Sequence, residues 1–313
     1  MAQEDTSRRQ FAATPVSWSW LAAALAAQLG WGAYPVLLRY AQTVSGLPGL
    51  ALLAAANFMV LLIAGVLYWS PLDKRVFRLP VVWLFGLMVV VRGVTNLLAT
   101  RYTLAIYAQL IYLMTPFIVA LLSRIFLREA LPRYLFRALS ISFVGVLLVL
   151  SGSLSEVGGG ETAVLRNDLL GISLALASSL SLALYMILTR RTASQKATSE
   201  GLLLVHLIAL FSFSFLASLL LGEDWGHWAA LGLMDWFVFG LICFGVLLGA
   251  NLGQIRSIQR LGAPLVSSMM AIRLVSALVF AALLLNEQLS SGWQVVGAVV
   301  VVVTITWFLR RQM

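Results

Sequence analysis

Apolar runs of about 20 residues recur along the chain between short polar stretches, without the strict alternation of a half-buried strand. Ten runs are read, at 18–38, 47–68, 80–100, 104–126, 133–152, 168–189, 200–221, 233–255, 262–285 and 291–309. At 1.5 Å per residue each is long enough to cross a hydrocarbon layer of about 30 Å as a helix. Backbone polar groups in lipid must be satisfied within the chain, and runs this long do not fit the short strands of a barrel. The pattern therefore predicts an all-α integral membrane protein with ten transmembrane helices. The first run follows Arg8 and Arg9 as a secretory signal would, but its length and the nine runs behind it argue for a retained first helix.

Composition agrees. Of 313 residues 61% are hydrophobic and 11% charged, outside the range of soluble domains. A net charge of +9 would suggest a nucleic-acid or acidic partner in a soluble protein. Here its distribution explains it. With the N-terminus inside, the cytoplasmic segments hold Arg8, Arg9, Lys74, Arg75, Arg78, Arg124, Arg128, Arg133, Arg137, Arg190, Arg191, Lys196, Arg256, Arg260, Arg310 and Arg311. The outer side holds Arg39, Arg101 and Arg166 together with Glu156, Glu161, Asp168, Glu223, Asp224 and Asp235. That bias fixes orientation at insertion, so both termini are expected in the cytoplasm. Cys243 is the single cysteine, so an intrachain disulfide is impossible, and within an apolar run it reads as a small core residue.

The longest polar interruption, SGSLSEVGGGETAVLRND at 151–168, is Gly-rich and acidic and reads as a flexible outer linker. It divides the chain into a cytoplasmic tail at 1–17, a five-helix unit at 18–152, a linker at 153–167, a second five-helix unit at 168–309 and a tail at 310–313. Five crossings are an odd number, so the second unit enters the membrane inverted relative to the first. LREAL at 127–131 and LNEQL at 285–289 each follow the fourth helix of their unit.

Those units, GWGAYPVLLRY at 30–40, TPFIVALLSRIFLREAL at 115–131 and LVSALVFAALLLNEQL at 274–289 resemble the EamA domains of the drug/metabolite transporter superfamily over nearly the whole chain. The resemblance implies secondary transport of a small organic metabolite, often export of amino acids or related compounds, through a central cavity between the two halves. It also implies a multi-pass protein of the plasma membrane, which we expect to be a bacterial inner membrane. One departure stands out. The family pattern has a proline thirteen residues before the fourth-helix glutamate, as Pro116 stands to Glu129, but the matching position before Glu287 is Leu274. Arg273 precedes that missing proline, and Thr115 is its counterpart in the first unit.

Arg92 and Arg273 lie about 12 and 11 residues from the cytoplasmic ends of their runs, which places both about 17 Å deep and at one level. A guanidinium at that depth costs on the order of 2.5 to 3.5 kcal/mol or more, so each is expected to face the bundle interior or a watery cavity. No acid shares the level, since the carboxylates fall at helix ends, in loops and in termini. Two unneutralised guanidinium groups form an anion site, because their fork matches a carboxylate or phosphate. A purely structural role would instead have each arginine cap carbonyls of a kinked helix or bond Asn57, Asn96 or Gln28.

Other polar or aromatic residues expected at the cavity are Gln28, Trp31, Asn57, Asn96, Tyr112, Thr115, Ser181 and Tyr185, with Pro35 and Pro116 bending helices nearby. Gly245, Gly249 and Gly253 form a ridge of small residues read as internal packing before a dimer contact, leaving a monomer or homodimer open. His206 is the one near-neutral titratable group inside a helix and is expected to be a satisfied structural histidine.

Related small multidrug exporters hold cations and protons at a glutamate of the first helix. The first run here contains no acid, and two arginines would repel a cation. Enzymatic activity is not expected, because there is no His-Glu-x-x-His, no Gly-x-Ser-x-Gly, no metal-ligand cluster and no phosphate-cradling loop, so no cofactor or metal is implied. The expected partners are a small solute with an anionic group and the lipid bilayer, not nucleic acid. An exchanger of dicarboxylates or phosphorylated sugars, a lipid-flipping or structural subunit, and a channel remain as alternatives.

Overall fold

The computed structural model describes residues 18–70, 74–103, 105–112, 115–127, 131, 133–154, 167–195, 197–285 and 292–312. The N-terminal tail, all but the edges of the expected linker, Glu129 and Glu287 lie outside the described residues. The helices are α1 (Trp18–Thr43), α2 (Gly49–Tyr68), α3 (Pro80–Tyr102), α4 (Ala105–Tyr112), α5 (Thr115–Leu122), α6 (Leu135–Leu154), α7 (Asp168–Ser194) and α8 (Ser199–Leu220). They continue with α9 (Leu233–Gly240), π turns over Leu241–Ala250, α10 (Asn251–Leu261), α11 (Ala263–Ser268), α12 (Ile272–Leu285) and α13 (Gly292–Gln312).

Among the described residues six helical stretches are long and apolar enough to cross a membrane: Trp18–Thr43, Gly49–Tyr68, Pro80–Tyr102, Leu169–Ala193, Ser199–Leu220 and Leu233–Leu261. Thr115–Leu127, Leu135–Gly145, Ile272–Leu285 and Val295–Phe308 are shorter apolar helices. One expected run is broken among the described residues: 262–285 divides into α11, a 3₁₀ turn at Met269–Ala271 and α12, while the run at 104–126 is described as α4 and α5 with π turns at Ser123–Leu127.

Helix ends follow local chemistry. Pro80 opens α3 at a position whose N–H has no helical partner. Asn167 and Thr198 cap α7 and α8 by accepting from Leu170 N at 3.1 Å and Gly201 N at 3.2 Å. Gly262, at φ 89°, makes the sharp joint between α10 and α11 that a side chain would oppose.

α3 packs along α7, α2 along α8, α6 along α13, and α1 along α12 and the Leu233–Leu261 helix; α4 and α5 pack on α7. The core lies between these pairs, with the rings of Phe85 and Tyr185 4.9 Å apart at its centre. Cys243 is buried there as expected, its Sγ directed at Ala56 O. Outward faces are apolar: Val66, Leu220 and Leu233 are 85%, 86% and 89% exposed. Exposed Trp18, Trp69, Trp83, Trp236 and Trp293 sit near helix ends, where an indole meets the membrane interface. An apolar exterior over a core holding polar side chains is the pattern of a bundle solvated by lipid.

Candidate functional site

Arg273 is placed by a backbone contact. Near the middle of α1, Gly32 lies so close to α12 that a Cβ there would stand 2.7 Å from Arg273 Cα and 2.8 Å from Ser276 Cβ. The Ser276 hydroxyl donates to Leu29 O at 2.6 Å and ties the two helices at that level. Arg273, 3% exposed, then donates from Nε to Gln28 Oε1 at 2.6 Å and from Nη2 to Gln254 Oε1 at 2.8 Å. Both partners are neutral amides, so the charge is oriented without being neutralised.

Arg92 arrives from α3 and is 7% exposed. Its guanidinium carbon lies 4.3 Å from the centre of the Trp31 ring and 5.2 Å from that of Tyr185. The Arg273 guanidinium lies 5.9 Å from the same Trp31 ring, so one indole faces two cations. Desolvated contacts of this kind are worth about 2 kcal/mol. They hold the cation without supplying a hydrogen-bond acceptor.

Both arginines border one hollow with Trp31, Tyr34, Pro35, Asn96, Gln109, Tyr112, Ser178 and Leu182. It is a narrow, part-open hollow with room for about one water molecule between its walls. Among the described residues no carboxylate borders it. The Tyr112 hydroxyl donates to Asn96 Oδ1 at 2.5 Å, Tyr185 donates to Asn251 Oδ1 at 3.2 Å, and Ser178 donates to the Arg92 carbonyl at 3.3 Å. Buried polar atoms without a partner are mainly N–H donors, among them Trp31 Nε1, Gln109 Nε2, Gln28 Nε2, Gln254 Nε2 and Asn251 Nδ2. Each leaves a desolvation penalty of about 1–3 kcal/mol. A ligand bearing acceptors recovers part of it.

Of the residues expected at the cavity, Arg92, Arg273, Trp31, Asn96 and Tyr112 border the hollow. Gln28 and Tyr185 stand behind it, the first bonding Arg273 and the second beneath Arg92. Asn57, Thr115 and Ser181 do not border it. Asn57 donates to Leu53 O at 2.8 Å, Thr115 meets Ser179 Oγ at 2.7 Å, and Ser181 donates to Ala177 O at 2.8 Å, each a bond between or within helices. Tyr34, Gln109, Ser178 and Leu182 were not anticipated. Gln109 lies three residues before Tyr112 and Ser178 seven before Tyr185, so helix phase would have found both.

Two further expectations change. His206 is buried edge-on against Tyr185 at 6.2 Å, and neither ring nitrogen has a partner, so it is not the satisfied histidine the sequence implied. The glycine ridge is only partly packed. Gly253 faces Ala27, with an added Cβ 3.4 Å away, and Gly245 O lies under Gly30, but Gly245 and Gly249 themselves are exposed. Among the described residues no group of three or more His, Cys, Asp or Glu is arranged to hold a metal ion.

The model of the EamA-like transporter family matches residues 169–310. This stretch is similar to members of that family of membrane transporters, which belongs to the drug/metabolite transporter superfamily, and the apolar helices are those of a multi-pass membrane protein. The EamA match contains Arg273, Tyr185, Asn251 and Gln254, while Arg92, Trp31 and Gln28 come from the preceding residues. A solved crystal structure has the same fold, with a TM-score of 0.65 and 18% identity over 91% of this chain and 98% of the other. No curated protein matches the chain in sequence.

Proposed function

We propose that the protein is a secondary carrier that moves a small carboxylate-bearing metabolite, an amino acid or a related solute, by alternating access, with Arg92 and Arg273 receiving its anionic end. The observation that carries this reading is the pairing of two buried guanidinium groups on one hollow with no carboxylate among the described residues of its lining. Such charges in a bundle core mark a substrate pathway more readily than a structural brace, because a brace would bring its own counter-ion.

Helix pairing supports the inverted repeat. Numbering the ten apolar segments in chain order, the third lies on the sixth and the eighth on the first; the first lies on the ninth and the sixth on the fourth. The second lies on the seventh and the fifth on the tenth. These pairings exchange among themselves when each segment is replaced by the one five places on, as a two-fold axis in the membrane plane requires. Arg273 follows the 3₁₀ turn that interrupts the ninth segment. In this reading both termini are cytoplasmic in a bacterial inner membrane, and net flux is outward.

Counterflow in proteoliposomes tests it. A carrier accelerates entry of labelled carboxylate solute when unlabelled solute is trapped inside, and acceleration that depends on Arg273 is expected. Entry insensitive to trapped solute indicates a pore, and movement of labelled lipid without solute indicates a flippase; either would overturn the reading.

A further inference from the structure

We infer that the hollow selects organic anions lacking an ammonium group, so that a 2-oxo acid is preferred over the amino acid of the same carbon skeleton. This rests on the anion-carrier reading above and narrows it. A zwitterion needs hydrogen-bond donors for its carboxylate and, for its ammonium, acceptors clear of like charge; the described lining offers two guanidinium groups, unpartnered N–H donors and no carboxylate.

The amide oxygens that meet the two arginines and their neighbours already accept from the protein's own donors, and the other side-chain oxygens on the lining, those of Tyr34, Gln109, Tyr112 and Ser178, carry no charge. Gln28 Oε1 and Gln254 Oε1 accept from Arg273, Asn96 Oδ1 accepts from Tyr112, and Asn251 Oδ1 accepts from Tyr185. Helical carbonyls are committed to their ladders. Two of the nearby aromatic rings, the other kind of receptor for an ammonium, already meet cations: Arg92 lies against Trp31 and Tyr185, and Arg273 approaches Trp31. Among buried side chains with an unpartnered atom, acceptor capacity remains on Asn57 Oδ1, on an imidazole nitrogen of His206 and on the hydroxyls of Ser123, Ser214 and Ser257, none of which borders the hollow.

Donors are in surplus. Trp31 Nε1 and Gln109 Nε2, both on bordering residues, lack acceptors, as do Gln28 Nε2 and Gln254 Nε2 on the amides that hold Arg273. The Arg92 guanidinium meets ring faces. A carboxylate offers four lone-pair sites to such a set, and a neighbouring keto oxygen offers two more. An ammonium at the same carbon would present three donors to donors and a positive charge to two guanidinium groups, a like-charge placement that costs several kcal/mol. A 2-hydroxy acid, whose hydroxyl both donates and accepts, falls between. Pro35 and Leu182 leave an apolar flank for a short hydrocarbon body.

Ligand-dependent thermal stabilisation and affinity of the purified full-length protein test this with matched sets: pyruvate, lactate and alanine; phenylpyruvate, phenyllactate and phenylalanine. In at least one set the dissociation constant is expected to rise in the order oxo, hydroxy, amino, by about tenfold or more between the ends. Arg273→Gln is expected to flatten the series, and Asn57→Ala, distant from the hollow, to leave it unchanged. If amino acids bind as tightly as their oxo acids or more tightly, with Arg273 required, the selectivity proposed here is wrong and the anion carrier stands. If no acid of either set binds, both fall.

Discussion

Replacing Gly32 with alanine tests the contact that positions Arg273. The new methyl carbon would stand 2.7 Å from Arg273 Cα and 2.8 Å from Ser276 Cβ, against an ordinary carbon separation of about 3.5–4.0 Å. Neither obstructing atom can rotate away, since one is backbone and the other is fixed to it. α1 and α12 must therefore separate by about 1 Å. The Ser276 to Leu29 bond, now 2.6 Å, would stretch towards 3.6 Å and be lost, and the 2.6 Å bond from Arg273 to Gln28 would lengthen with it. Overpacking costs about 1–3 kcal/mol and the lost hydrogen bond about 0.5–1.5 kcal/mol, while alanine gains up to about 1 kcal/mol over glycine in helix propensity. Packing wins, and a net loss of about 1–3 kcal/mol is expected. Gly65, with nothing within 4 Å of its added Cβ, is the control, and Gly65→Ala should be neutral or stabilising. Thermal unfolding of both purified variants decides the matter. A Gly32→Ala protein as stable as wild type would refute the close approach of α1 to α12.

Three other substitutions are read by the same assay. Tyr112→Phe strands the buried Asn96 carbonyl and should cost about 1–3 kcal/mol, whereas an unchanged unfolding midpoint would mean that the bond contributes nothing. His206→Leu removes two unpartnered nitrogens from the core and should leave stability unchanged or raise it by about 1 kcal/mol, so a clear loss would show that the imidazole has a polar partner. Glu200→Gln breaks the 2.5 Å pair with Arg256, whose side chains are 28% and 42% exposed, and should cost less than about 1 kcal/mol; a larger loss would place the pair in a stronger network.

Helix existence was legible in the sequence because runs of this length have no other solution in lipid. Their interruptions were not. The turn at Met269–Ala271 contains neither proline nor glycine and lies where α11 and α12 meet α1 and α5. Arg92 and Arg273 could be singled out because a cation in an apolar run has few places to go. Asn57, Thr115 and Ser181 were chosen on depth, which fixes a level in the membrane but not the face of the helix. Gln28 was legible as a polar residue, yet its role in orienting Arg273 depends on partners 245 residues apart in the chain. The spare donors became visible only when the bonds of the amides around Arg273 and Tyr112 had been traced.

The measurement closest to the central claim is anion-dependent exchange by Arg92→Gln, Arg273→Gln and Arg273→Lys proteins, each reconstituted after its unfolding midpoint is recorded. Folded glutamine variants that no longer bind or exchange carboxylate solutes are predicted, with lysine recovering only part of the loss because it keeps the charge but not the fork. Folded variants that exchange at the wild-type rate would contradict the account.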